Sequence, residues 1–146
     1  MIAWRLCRRP HADLSGAGAR RFGGRWNSPG RPVVYLAEHP ALAALEVRVH
    51  LDLPFDLLPV DFVLLQVDVP DGPVLCQEVP SQTVTVGDTW LAEASSATVR
   101  VPSVPIGHAW NVLFNPAHPD APQAGVRGIE PFVFDPRLWR PLAGEG

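Results

Sequence analysis

Proline limits what this chain can become more than any other residue. Its ring fixes φ and removes a backbone donor, so it ends helices and is confined to turns and strand edges. Seventeen prolines and twelve glycines among 146 residues dictate many short elements joined by turns and exclude a helical bundle. A chain of this length suits one domain, residues 1–146, burying roughly two-thirds of the surface its unfolded form would expose. Its apolar fraction of 47% is that of a globular protein, too high for disorder.

Between the turns, local pattern places the elements. Ile2 to Cys7 predicts a strand closed by Arg8-Arg9-Pro10, and the small, polar run from His11 to Gly24 predicts loop with at most one helical turn. Ser28-Pro29-Gly30 is a turn signal. Val33 to Ala37 is a β-branched and aromatic strand whose alternation sets Val34 and Leu36 against Val33, Tyr35 and Ala37. His39-Pro40 opens a helix, Pro suiting the first helical position. Leu42, Leu45 and Val49 form its apolar stripe, with Glu46 intruding one turn after Leu42. Phe62 to Val69 predicts a strand, and Val74 to Val79 a short edge strand or loop. Gly87 to Ser95 predicts a short helix with Trp90 and Leu91 inward. Thr98–Val101, Trp110–Phe114 and Phe132–Phe134 complete the strands, Gly125–Pro131 being a connector. The expected fold is α+β: a compact mixed β-sheet core with one main helix and short helices. The core spans about residues 4–134, and the tail 135–146 carries one anchoring Trp139 and frays.

Composition removes several function classes. A net charge of −3 leaves no electrostatic footprint for nucleic acid. All twelve basic residues are Arg, the mark of codon bias, so arginine number carries no signal. Cys7 and Cys76 are too few and too distant for a metal knuckle or disulfide framework and suit buried thiols of a reducing compartment. No signal-peptide core opens the chain, and no apolar run approaches the ~20 residues of a membrane span. A cytoplasmic location is expected. The five histidines form no H-x-x-x-H or H-E-x-x-H pattern, so no metal site is expected. P-loop and G-x-G-x-x-G signatures are also missing.

Four polar positions stand out. Arg25, between Gly24 and Trp26, can approach a phosphate or carboxylate closely and bind it bidentately; a surface arginine is the plain alternative. Tyr35 can stack on a planar ligand with its hydroxyl in water, or be an ordinary core tyrosine. Glu46 must be paired or line a cavity, because burying a lone carboxylate is costly. Ser103, held between Pro102 and Pro105, can point its hydroxyl at a ligand or merely form a turn. With no G-x-S-x-G elbow and no paired His, a serine hydrolase finds little support.

The blocks GGRWNSPGRPVVYLAEHPALAALEVRVHL, GDTWL and VRVPSVPIGHAWNVLFNPAHPD, in this order and spacing, closely resemble the RES-domain family, the toxin halves of bacterial RES–Xre toxin–antitoxin pairs. The resemblance implies an ADP-ribosyltransferase-like fold, with NAD⁺ as substrate and no prosthetic group. It also implies a cognate Xre-type helix-turn-helix antitoxin that blocks the active site. The family's polar residues fall on Arg25, Tyr35 and Glu46 as catalytic groups. Arg25, Tyr35, Ser103 and Asn115 fall as substrate-binding groups, with Asn111 beside the NPAHP block. Family members degrade NAD⁺ by hydrolysis or phosphorolysis, or ADP-ribosylate a protein. A non-catalytic nucleotide-binding module is the remaining alternative. Chemistry agrees independently: cleaving the nicotinamide–ribose bond passes through an oxocarbenium-like state, which a carboxylate in a dry pocket stabilises.

Overall fold

A computed structural model describes residues 1–140. Six strands form one sheet: β1 (Ile2–Arg8), β2 (Val34–Ala37), β3 (Phe62–Asp68), β4 (Thr98–Pro102), β5 (Trp110–Phe114) and β6 (Gly125–Pro131). Their order is β4-β5-β2-β1-β3-β6, and every pairing between strands is antiparallel. Parallel character is confined to an isolated bridge, Val74 with Arg100, which is all the backbone pairing that 74–79 provides. Three α-helices accompany the sheet: α1 (Ala17–Phe22), α2 (Pro40–Arg48) and α3 (Thr83–Glu93). The α+β class therefore holds, with two helices of comparable length where one main helix is expected. Among the described residues no helix is long and apolar enough to cross a membrane.

Strand alternation builds two cores. On one face Ala3, Val34, Leu36, Val63, Leu65, Val67, Val112 and Phe114 pack together under the loops carrying Ala12, Leu14, Ala121 and Ala124. On the other, α2 brings Leu42 and Ala43 against Leu6, Ala37, Phe62 and Leu64. Beside it, α3 brings Trp90 and Leu91 against Trp26, Val33, Val99, Val101 and Leu113.

Four expectations need correction. The strand predicted over Phe132–Phe134 lies earlier, at Gly125–Pro131. The seven-residue β3 recruits this Gly-containing segment as its antiparallel partner through a register shift at Gln66/Val67, and Pro131, with no N–H, helps end the ladder. Phe132 and Phe134 instead meet edge to face, Phe134 also contacting Phe62 and Trp139. The helix predicted from Gly87 begins at Thr83. Its first turn, TVTV, has strand propensity, which packing of one apolar face overrides. The loop before Gly24 contains the six-residue α1. Finally, Val49 is the C-cap of α2 and 57% exposed, so the helix buries Leu42 and Ala43 and not a Leu42/Leu45/Val49 stripe. Trp139 does anchor the C-terminal segment: its indole N–H donates to Leu53 O at 2.9 Å, and the Arg48 guanidinium lies 4.0 Å over its ring. Of the tail expected to fray, Pro136–Trp139 form a short 3-10 turn, and residues 141–146 lie outside the described residues.

Candidate active site

The two central strands barely pair. β1 and β3 are in register along their whole length, whereas β1 and β2 share one pair, Trp4 with Ala37. Beyond it they part, and a cavity of about 550 Å³ opens through the sheet, a size typical of small-molecule sites (roughly 300–1,000 Å³). Its walls come from both faces: Leu6 and Tyr35 on the helix-bearing side, Arg5, Cys7 and Leu36 on the other. Residues of α2 and the Gly23–Trp26 segment cover the opening.

The register also shows which backbone groups face the gap. Val69 N donates to Met1 O and Arg9 N to Asp61 O, so odd residues of β1 turn toward β3 and even ones, including Leu6, toward β2. Likewise Glu38 N donates to Trp110 O, so even residues of β2 serve β5 and Tyr35 faces β1. Extending the Trp4–Ala37 register would pair Leu6 with Tyr35, but the strands have separated. Their N–H and C=O groups are left for a ligand or water, since buried backbone groups seldom go unpaired.

Arg25 sits at the tip of a tight turn closed by Gly24 N to Asn27 O (3.0 Å) and Asn27 N to Gly24 O (3.4 Å). Trp26 points into the core while Arg25 is exposed along the cavity wall. Among the described residues no carboxylate pairs with Arg25. Gly24 is required here because a Cβ would lie 2.7 Å from the Tyr35 hydroxyl. Helix α3 clamps the turn from behind. Thr83 Oγ1 donates to Arg25 O (2.6 Å), and the Asp88 carboxylate accepts from Ser28 N (3.0 Å) and Ser28 Oγ (2.5 Å). A Cβ on Gly87 would lie 1.7 Å from the Trp26 carbonyl oxygen. The GDTWL block is thus scaffold for Arg25.

Tyr35 contributes its ring to the cavity, while its hydroxyl is satisfied within the protein, as in the core-tyrosine alternative. It donates to Asn27 Oδ1 (2.6 Å) and accepts from Trp26 N (2.9 Å), and burial pushes the phenol up to about 12. Asn27 is the hub of this arrangement: it is buried, and its amide donates to Ala19 O, Ser28 O and Arg31 O.

Glu46 does line the cavity, with Ala43, Val47 and His50 on the same side of α2 and its continuation. Ser103 does not reach the cavity itself. Its buried hydroxyl donates to Glu46 Oε1 (2.9 Å) and accepts from Ile106 N (3.2 Å), so it orients the carboxylate and leaves ligand contact to it. Asn111 reaches the cavity wall. Asn115 does not; it is buried, and its Oδ1 accepts from Ala117 N (3.0 Å) to shape the turn after β5. The structure therefore brings together Arg25, Tyr35 and Glu46 directly, Ser103 behind Glu46, and leaves Asn115 out.

Sequence reasoning missed Arg5. It lines the cavity from β1 and donates to His11 O (2.5 Å) and Asp13 O (2.7 Å), with no carboxylate partner among the described residues. The exposed Arg25 guanidinium, with no carboxylate partner among the described residues, leaves a positive group on the cavity wall that suits an anionic ligand. Nearby Cys7 is weakened as a nucleophile, because burial pushes its thiol up and the thiolate is the reactive form. Among the described residues no His, Cys, Asp and Glu cluster could hold a metal ion.

The RES domain model matches residues 2–135. The chain is 39% identical to "Toxin Res" of Pseudomonas putida over 95% of this chain and 100% of that protein. It is 37% identical to "Prs ADP-ribosylating toxin" of Sphingobium sp. over 88% of each. Against the NAD(+) phosphorylase MbcT of Mycobacterium tuberculosis it is 39% identical over 83 residues, 53% of this chain and 45% of MbcT. A chain of the M. tuberculosis MbcT–MbcA toxin–antitoxin complex shares the fold, with a TM-score of 0.74 at 24% identity, covering 94% of this chain and 86% of that one.

Proposed function

This chain belongs to the RES domain family, and from that premise we propose that it is a toxin that cleaves the nicotinamide–ribose bond of NAD⁺. The observation that carries this is the convergence of Arg25, Tyr35 and Glu46, from a turn, a strand and a helix, on one cavity where the sheet is split. NAD⁺ is consumed as substrate and not retained as a cofactor. Arg25 and Arg5 suit its diphosphate, binding through paired N–H groups. The Tyr35 ring offers a face for the pyridinium, and the open backbone edge of Leu6 can satisfy a carboxamide, which has one donor and one acceptor side. Glu46, fixed by Ser103, lies where it can stabilise positive charge growing on the ribose as the C–N bond breaks. No protein nucleophile is needed.

The test is direct. Pure protein is incubated with NAD⁺, with and without inorganic phosphate, and the products are separated. Nicotinamide with ADP-ribose identifies hydrolysis, and nicotinamide with phosphorylated ADP-ribose identifies phosphorolysis. Persistence of NAD⁺ in both mixtures would refute the proposal. A second reading, ADP-ribosylation of a protein, is favoured by the name of the Sphingobium relative and is separated by label from adenylate-tagged NAD⁺ appearing on protein. The neighbour crystallised as a toxin–antitoxin complex supports an antitoxin partner here. An Xre-type antitoxin closing the cavity is expected, in the cytoplasm where NAD⁺ is available.

A further inference from the structure

We propose that His50 takes the proton from an acceptor hydroxyl, water in the simplest case, as that oxygen attacks the ribose carbon. This rests on the NAD⁺-cleaving reading above and names the acceptor class for the same site. Glu46 on α2 and His50 in the turn just after the helix C-cap both line the cavity. Their depths differ: Glu46 is partly buried against Ser103, and His50 is exposed at the mouth, where an acceptor from solvent must pass.

The other ionisable groups around this wall are unsuited to the task. Glu46 has one oxygen held by Ser103 and faces the developing sugar cation. The Tyr35 hydroxyl on β2 is engaged on both sides. Cys7 on β1 lies on the far side of the sheet opening with its thiol pushed up by burial. Arg5 and Arg25 only donate, and Arg48 is turned away onto Trp139 and Leu138 O. The residues from the 104–105 wall, Val104 and Pro105, carry no charge. His39 and His118 use their ring nitrogens in turns and caps, whereas the His50 imidazole has no partner among the described residues.

The step balances. The bond from C1′ to the pyridinium nitrogen breaks, its electron pair staying with nicotinamide and cancelling that charge. The acceptor oxygen forms the new bond to C1′, and its proton passes to His50 and then to solvent. An anionic acceptor such as phosphate or azide has no proton that must be removed, so its attack does not need His50.

The experiment compares wild type with His50→Gln and His50→Ala, using azide as the anionic probe. Hydrolysis of NAD⁺ is expected to fall about 10²-fold, the usual worth of a positioned base, with KM for NAD⁺ unchanged. Azide is expected to restore cleavage, with ADP-ribosyl azide as product. Undiminished hydrolysis in the variants would overturn the assignment. So would equal loss with water and with azide, which places His50 in bond breaking or in structure. Wild type that leaves NAD⁺ intact with every acceptor overturns the NAD⁺-cleaving reading itself, and this proposal with it.

Discussion

Replacing Tyr35 by Phe keeps the ring on the cavity wall and removes one oxygen, which separates stacking from scaffolding. That oxygen accepts from Trp26 N and donates to Asn27 Oδ1. Phe strands both partners, and Asn27 is only 1% exposed. Each buried polar group left unpaired costs about 1–3 kcal/mol, so a loss of about 2–6 kcal/mol is expected for the two. In a domain of this size that lowers Tm by roughly 4–24 °C. Urea unfolding should show an earlier midpoint at unchanged slope. Because the turn bearing Arg25 loosens, KM for NAD⁺ should rise more than kcat falls. A pH series adds a second readout. Burial raises the phenol from 10.0 to about 12, so the folded chain keeps a proton the unfolded chain has released. Stability from this source is complete below pH 10 and is lost as pH rises to about 12; Tyr35→Phe should abolish that decline. An unchanged midpoint would refute the scaffold role, and complete loss of turnover at unchanged stability would place the hydroxyl in the chemistry instead.

Glu46→Gln should reduce NAD⁺ cleavage by about 10²–10³-fold, the scale of losing one electrostatic stabiliser, and abolish toxicity on expression. The amide oxygen still accepts from Ser103, so the melting transition should stay near wild type; a toxic, fully active variant would rule out the role. Ser103→Ala leaves Glu46 untethered and should lower kcat by about 10- to 10²-fold, the worth of a hydrogen bond to a charged group, with KM unchanged in steady-state assays. Gly87→Ala forces α3 off the Trp26 carbonyl and should cost about 3 kcal/mol in chemical denaturation, displacing the Arg25 turn and cutting activity with it.

Much of the fold can be read along the chain. The apolar and β-branched runs of β1, β2, β3 and β5 announce themselves by composition and period, and Pro40 marks the start of α2. β6 and the first turn of α3 do not. GVRGIEP has little strand propensity and is a strand because β3 needs a partner, while TVTV has much and is helical because Trp90 and Leu91 must pack. The site divides similarly. Glu46 stands out as a carboxylate on an apolar helix, and it does line a cavity, although the residues beside it are Ala43, Val47, Val49 and His50, so that of the predicted stripe only Val49 takes part. Asn115, carried in by likeness alone, lies off the cavity wall with its Oδ1 accepting from Ala117 N. Arg5 gave no signal, being one arginine among twelve in an otherwise ordinary strand.

Local order determined what each segment prefers: where φ is pinned, which residues alternate, and which carboxylate is out of place. Those preferences are encoded within a few residues, so they survive without knowledge of the rest of the chain. What the tertiary structure alone decided is the split between β1 and β2. Beside it stands a turn at 24–27 held by an asparagine, a tyrosine hydroxyl and a helix some sixty residues away. Only when such distant parts pack do Arg25, Tyr35 and Glu46 face one space.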